Sequence, residues 1–137
     1  MSIVLVDTSV TSILHPKRRE SPLRAAYAPS LSGNQLAMSF QSVAELLFWA
    51  ERNGWGAPQR HALNLFISRF LVIPYDFELA RVWASVMTQA RARGRRLESG
   101  DAWIAATAIH RALVLVTHDK DLAGSSIPGL RTICHAR

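Results

Sequence analysis

Asp7 and Asp119 each stand behind a short apolar run, Ile3-Val4-Leu5-Val6 in the first case and Leu113-Val114-Leu115-Val116 with Thr117 in the second. Such runs read as strands buried on both faces of a parallel sheet. In open α/β sheets ligands bind in the crevice outside the carboxyl ends of the strands, so both carboxylates are expected where chemistry takes place. Two further acids, Glu45 and Asp101, lie near the starts of two strongly apolar helical segments. Four converging carboxylates would make a cage of oxygen ligands whose charge a hard cation balances.

The elements that must position them alternate along the chain. Strands are expected at about 3–6, 36–40, 70–74, 113–117 and 130–133, with helical periods between them. Thr8 to Leu14 reads as a short helix stopped by His15-Pro16. Ser42 to Arg52 is ended by Asn53-Gly54, Pro58 to Arg69 carries Pro in its first turn, Asp76 to Arg93 is closed by Gly94, and Ser99 to Arg111 follows. This alternation predicts one α/β domain spanning 1–137, a parallel sheet covered by helices.

The 137 residues carry a formal charge of +6. If four of the ten acids gather in one cleft, the rest of the surface is more basic still, which suits a polyanion held by Lys and Arg. A basic charge tuned for solubility accounts for the same number. No apolar run reaches membrane-spanning length and no secretory leader pattern is present, so a soluble, cytoplasmic protein with no membrane contact is expected. The single cysteine, Cys134, reads as a small apolar residue near the chain end. Scattered histidines without helical metal spacing disfavour zinc.

Each acid also has a local explanation. Ser42-Val43-Ala44-Glu45 fits a capping box, Ser99 fits a helix cap with Asp101 favoured by the helix dipole, Asp7 fits a cap for the helix at Thr8, and Asp119 and Asp121 fit turn formers. The helix from Ser42 is apolar nearly all round, with Val43, Leu46, Leu47 and Ala50 on one face and Phe48 and Trp49 opposite, so burial is expected. The segment 102–109 offers no polar face either, which sets Asp101 at the entrance of a buried helix, where a carboxylate needs a partner. His118 reads either as a proton-transfer group beside Asp119 or as a surface turn residue.

Val6-Asp7-Thr8-Ser9, Ser42-Val43-Ala44-Glu45-Leu46, Ser99-Gly100-Asp101-Ala102-Trp103-Ile104-Ala105-Ala106 and Val116-Thr117-His118-Asp119-Lys120-Asp121 resemble, in order, the four acidic motifs of the PIN-domain ribonucleases, in particular the VapC toxins. Ile127-Pro128-Gly129-Leu130 is similar to that family's usual ending. The resemblance implies a three-layer sandwich with a central, mostly parallel sheet and helices on both faces. It also implies four acids holding Mg²⁺ or Mn²⁺, cleavage of RNA, a homodimer, and inhibition by a cognate VapB-type antitoxin. Leu122 stands where the family often has an aromatic residue, which leaves Asp119 and Asp121 both as candidates for the fourth acid.

On that reading Asp7 and Asp101 ligate the metal directly, while Glu45 and Asp119 hold its waters or a second ion. Thr8, Ser9 and Thr117 orient the acids or bind a phosphate oxygen. Hydrolysis by an activated water would leave a 5′-phosphate and a 3′-hydroxyl. Arg95 and Arg96 are candidates for holding RNA phosphates; Arg91 and Arg93 also fit helix-dipole cations, and Lys17-Arg18-Arg19 a solvated charge run. Trp49, Trp55, Trp83 and Trp103 read as core or dimer contacts and not as base-stacking platforms, and Phe48, Trp49, Leu63, Phe66 and Ile67 together exceed what one core face needs. A non-catalytic RNA-binding or protein-interaction module is the alternative, and the acidic set opposes it. Receiver and haloacid-dehalogenase arrangements fail for want of a second acid beside Asp7.

Overall fold

The computed structural model describes residues 2–15 and 21–136; the Lys17-Arg18-Arg19 run lies outside the described residues. Five strands, β1 (Ile3–Val6), β2 (Gln35–Ser39), β3 (Leu71–Ile73), β4 (Val114–Val116) and β5 (Thr132–Ile133), form one sheet in the order β3-β2-β1-β4-β5. Every pairing is parallel. Seven helices among the described residues connect them: α1 (Thr8–Leu14), α2 (Leu23–Leu31), α3 (Phe40–Arg52), α4 (Ala57–Ser68), α5 (Phe77–Ala92), α6 (Ser99–Arg111) and α7 (Lys120–Ala123).

The pleat divides the strand side chains between two cores. Val4, Val6, Met38 and Val116 pack with Val10, Tyr27, Leu46 and Leu63 from α1 to α4. Leu5, Ala37 and Leu115 face the other way, onto Leu79, Val86 and the alanines of α6. Adjacent strand residues therefore serve opposite helical layers, the three-layer sandwich expected for apolar strands covered on both faces. The chain builds from β1 out to β3, then crosses to β4 on the other side of β1. The reversal opens a crevice at the carboxyl ends of β1 and β4.

Several local expectations change. Helix α3 begins at Phe40 with Ser39 as its cap, the Ser39 hydroxyl accepting from the Gln41 N–H at 3.1 Å. Ser42 is thus inside the helix, and no capping box involving Glu45 forms. Leu47 and Phe48 are 44% and 62% exposed, so α3 is buried along one face only. Leu63 and Phe66 belong to the core and add nothing to the surface; on α4 it is Leu65 that is exposed. Ser99 is the first residue of α6, with Glu98 at the cap position and no side-chain capping bond. Strand β3 lies at a sheet edge, where Leu71 and Val72 are exposed.

Candidate active site

Asp7 leaves β1 and caps α1 in extended backbone geometry. The residue is 4% exposed. The Thr8 N–H donates to Oδ1 at 2.8 Å, and the hydroxyls of Ser9 and Thr117 each donate to Oδ2 at 2.7 Å. Burial raises the Asp7 pKa, these three donors pull it back, and the charge of Glu45 raises it further. Ser9 and Thr117 thus both bond the Asp7 carboxylate directly. Thr8 orients Asp7 through its backbone, whereas its hydroxyl donates to Ser42 Oγ at 2.8 Å and ties α1 to α3.

The same hydroxyls reach the loop after β4. Ser9 Oγ accepts from the His118 N–H at 2.9 Å, and Thr117 Oγ1 accepts from the Asp119 N–H at 3.1 Å. Asp119 then caps α7, its Oδ1 accepting from the N–H groups of Asp121 and Leu122. Capping thus uses one oxygen of Asp119. Asp121, two residues further on in the first turn of α7, is exposed.

Glu45 and Asp101 complete the set from α3 and α6. Asp101 is half-buried in the first turn of α6, and its pKa is pushed up to about 6, first by burial and then by the charges of Asp7, Asp119, Glu45 and Glu98. The charges of Asp7, Glu45 and Asp119 thus all act on Asp101, and that of Glu45 acts on Asp7. Among the described residues they make no salt bridge, and no three His, Cys, Asp or Glu side chains stand together closely enough to hold a metal ion. The structure brings the acids to one crevice without wrapping them around a point.

Four participants had weak or no sequence signals. Gln41 donates from Nε2 to Glu45 Oε1 at 3.0 Å, an i,i+4 pair that helical spacing could have revealed. Gly100 brings α6 against that pair: a Cβ at this position would stand 2.9 Å from Gln41 Nε2 and 3.0 Å from Glu45 Oε1. Glu98 adds charge beside Asp101. Tyr27, fully buried on α2, donates to the Thr117 carbonyl at 3.1 Å, lies 2.5 Å from His118 Nδ1 and accepts from the His135 N–H at 3.1 Å. His118 is thereby pinned inward, not a free surface turn residue.

A cleft of about 350 Å³ opens beside these acids, lined by Asp101, Asp119 and Asp121 and also by Arg93, Arg95 and Arg96. Carboxylates that would take a cation and guanidinium groups that would take phosphate share one concavity.

The PIN domain family model matches residues 4–124. The chain belongs to the PIN-domain family. Toxin FitB of Neisseria gonorrhoeae is 30% identical over 126 residues, covering 85% of this chain and 88% of that protein. Ribonuclease VapC5 of Mycobacterium tuberculosis is 38% identical over 65 residues, about half of each chain at 47% and 48%. Among solved structures, the DNA-bound VapBC of Salmonella typhimurium has a TM-score of 0.74 at 25% identity and covers 98% of both chains. The matched span of the PIN domain includes all four acids and helix α7, which carries Asp121.

Proposed function

We infer that this PIN-domain protein is a ribonuclease that hydrolyses RNA phosphodiester bonds, acting as the toxin of a VapBC-type toxin–antitoxin pair. The observation that carries the reading is Asp101. It is a half-buried carboxylate whose proton affinity is raised first by burial and then by the charges of four neighbouring acids, and among the described residues no cationic side chain forms an ion pair with Asp7, Glu45, Asp101 or Asp119. A binding module would gain nothing from such a field, since it repels phosphate. The ribonuclease and toxin names of the relatives point the same way.

The donor set fits a hard divalent cation, Mg²⁺ or Mn²⁺: all oxygen, with carboxylates in excess of any local positive charge. Bound there, the cation would neutralise the acids and supply an acidified water for attack on phosphorus. Asp7 and Asp101 are the direct ligands in this reading, with Glu45 and Asp119 completing the site. Asp119 is favoured over Asp121 because its charge reaches Asp101. Ser9 and Thr117 hold Asp7 from one side, and Gln41 holds Glu45. Arg95 and Arg96 face the same cleft and are assigned to the phosphates of the RNA.

A VapB-type antitoxin is the expected protein partner, by analogy with the VapBC complex. A homodimer is supported by Leu47, Phe48 and Leu65, apolar side chains exposed on α3 and α4. The assay is incubation of the purified chain with single-stranded RNA in Mn²⁺, with and without EDTA. Cleavage that stops in EDTA and returns on adding excess Mn²⁺ is expected. RNA that stays intact in Mn²⁺, or is cut equally in EDTA, overturns the reading.

A further inference from the structure

Helix α5 ends in arginines that border two concavities. On one side is the acidic cleft. On the other is a groove of about 690 Å³ that shares Arg95, Arg96 and Leu97 with the cleft and adds Trp83, Met87 and Arg91. Among the described residues no acid lines this second groove. The chain turns here because Gly94, at φ +67°, closes α5 and lets the Arg95 N–H reach the Ala90 carbonyl at 2.8 Å.

The arginines differ in employment. Arg93 donates to the Ser126 carbonyl, so its guanidinium is already used. Among the described residues, Arg91, Arg95 and Arg96 have neither an ion pair nor a side-chain hydrogen bond, and all three are exposed. Trp83 is held on its other flank: it stacks on Trp103 with centroids 5.1 Å apart and planes 22° from parallel, and its Nε1–H donates to the Ser99 carbonyl at 3.3 Å. Ser99 is two residues from Asp101. The indole is thus fixed in position relative to the acids.

We propose that this second groove is a binding subsite for an unpaired nucleotide of the RNA flanking the scissile phosphate, with Arg95 and Arg96 guiding the backbone between the two concavities, Arg91 taking a further phosphate and Trp83 contacting the base. The proposal rests on the ribonuclease reading above. Single-stranded RNA is recognised by stacking of exposed bases on aromatic rings and guanidinium planes next to phosphate-binding cations, and the groove presents both. A volume of about 690 Å³ lies in the range of sites that take small organic groups. A positive groove, without acids among the described residues and joined through Arg95 and Arg96 to a cleft that carries carboxylates, suits a polyanion that must be held beside the acids and not over them.

The test is fluorescence anisotropy of a labelled single-stranded RNA octamer of mixed sequence, alone or annealed to its complement, with the full chain in EDTA so that the probe is not cut. Arg91→Glu and Trp83→Leu are expected to weaken single-strand binding by about tenfold, against less than twofold for Arg69→Glu, an exposed arginine at the end of α4. The duplex is expected to show no such pattern. Arg91→Glu does not depend on the packing of Trp83, so a misfolded tryptophan variant leaves the test intact. Equal losses in Arg91→Glu and Arg69→Glu, or equal losses on duplex and single strand, overturn the subsite. So does an Arg91→Glu variant that keeps RNA binding but loses antitoxin binding, which would give the groove to the antitoxin. A wild type that cuts the octamer in Mn²⁺ without the variant pattern sinks the subsite alone. A wild type that shows the pattern but never cuts sinks the nuclease reading alone.

Discussion

Asp101 carries a pKa of about 6 against an ordinary value of 3.8. Between about 4 and 6 the folded state therefore binds more protons than the unfolded chain, so its contribution to stability falls as pH rises through this window. Above pH 6 the ionised carboxylate is a standing cost in the metal-free protein. Asp101→Asn should accordingly raise the melting temperature of the EDTA-treated protein at pH 7.5 and flatten the pH dependence between 4 and 6, as scanning calorimetry would record. A variant less stable than wild type at pH 7.5 would mean that like-charge crowding does not dominate there. Gly100 separates stability from geometry at the same place. An added Cβ meets only the far ends of the Gln41 and Glu45 side chains, while alanine suits a helix better by up to about 1 kcal/mol. Gly100→Ala should melt at or above the wild-type temperature yet lose roughly tenfold in RNA cleavage through displacement of Glu45. Unchanged activity would free Glu45 from any positional demand.

At the level of elements, apolar runs located β1 and β4 well, because a strand covered on both faces admits only apolar residues. The carboxyl ends of those strands located Asp7 and Asp119 for the same reason. Helix α2 had no comparable signal: its sequence is weakly amphipathic and contains Pro29, so local periodicity does not announce it. Its main contribution is long-range, the Tyr27 hydroxyl reaching residues more than 90 positions away. Helix α3 starts at Phe40, two residues before the start at Ser42 that its sequence suggests, because both Ser39 and Ser42 are competent caps and only tertiary packing decides between them. Tyr27→Phe tests the long-range tie. It leaves the Thr117 carbonyl without its donor in a buried setting, a cost of about 1–3 kcal/mol and a fall of several degrees in melting temperature. Cleavage should fall with it, since the loop after Thr117 carries Asp119. A thermal transition that does not move would show that α2 is no clamp.

At the scale of the molecule, the sheet gathers acids at its crevice while α5 gathers arginines beside them, and on another flank Phe48 of α3 borders a pocket that it shares with Glu45 and Thr8. Phe48 is 62% exposed, so its replacement should disturb association and not folding. Phe48→Glu is expected to shift the protein from dimer toward monomer by light scattering, with circular dichroism unchanged. A wild type already monomeric at micromolar concentration would remove the dimer from the account. Among the described residues no helix is long and apolar enough to cross a membrane, so these surfaces are not accounted for by a helical membrane span. The central claim is that the four acids are the catalytic apparatus of a metal-dependent ribonuclease, and the most direct test is the initial rate of cleavage of an end-labelled RNA in Mn²⁺ by wild type and Asp101→Asn at equal folded concentration. Loss of one charge without change of shape should lower that rate by about a hundredfold or more, the scale on which removal of a single transition-state contact acts; equal rates would contradict the account.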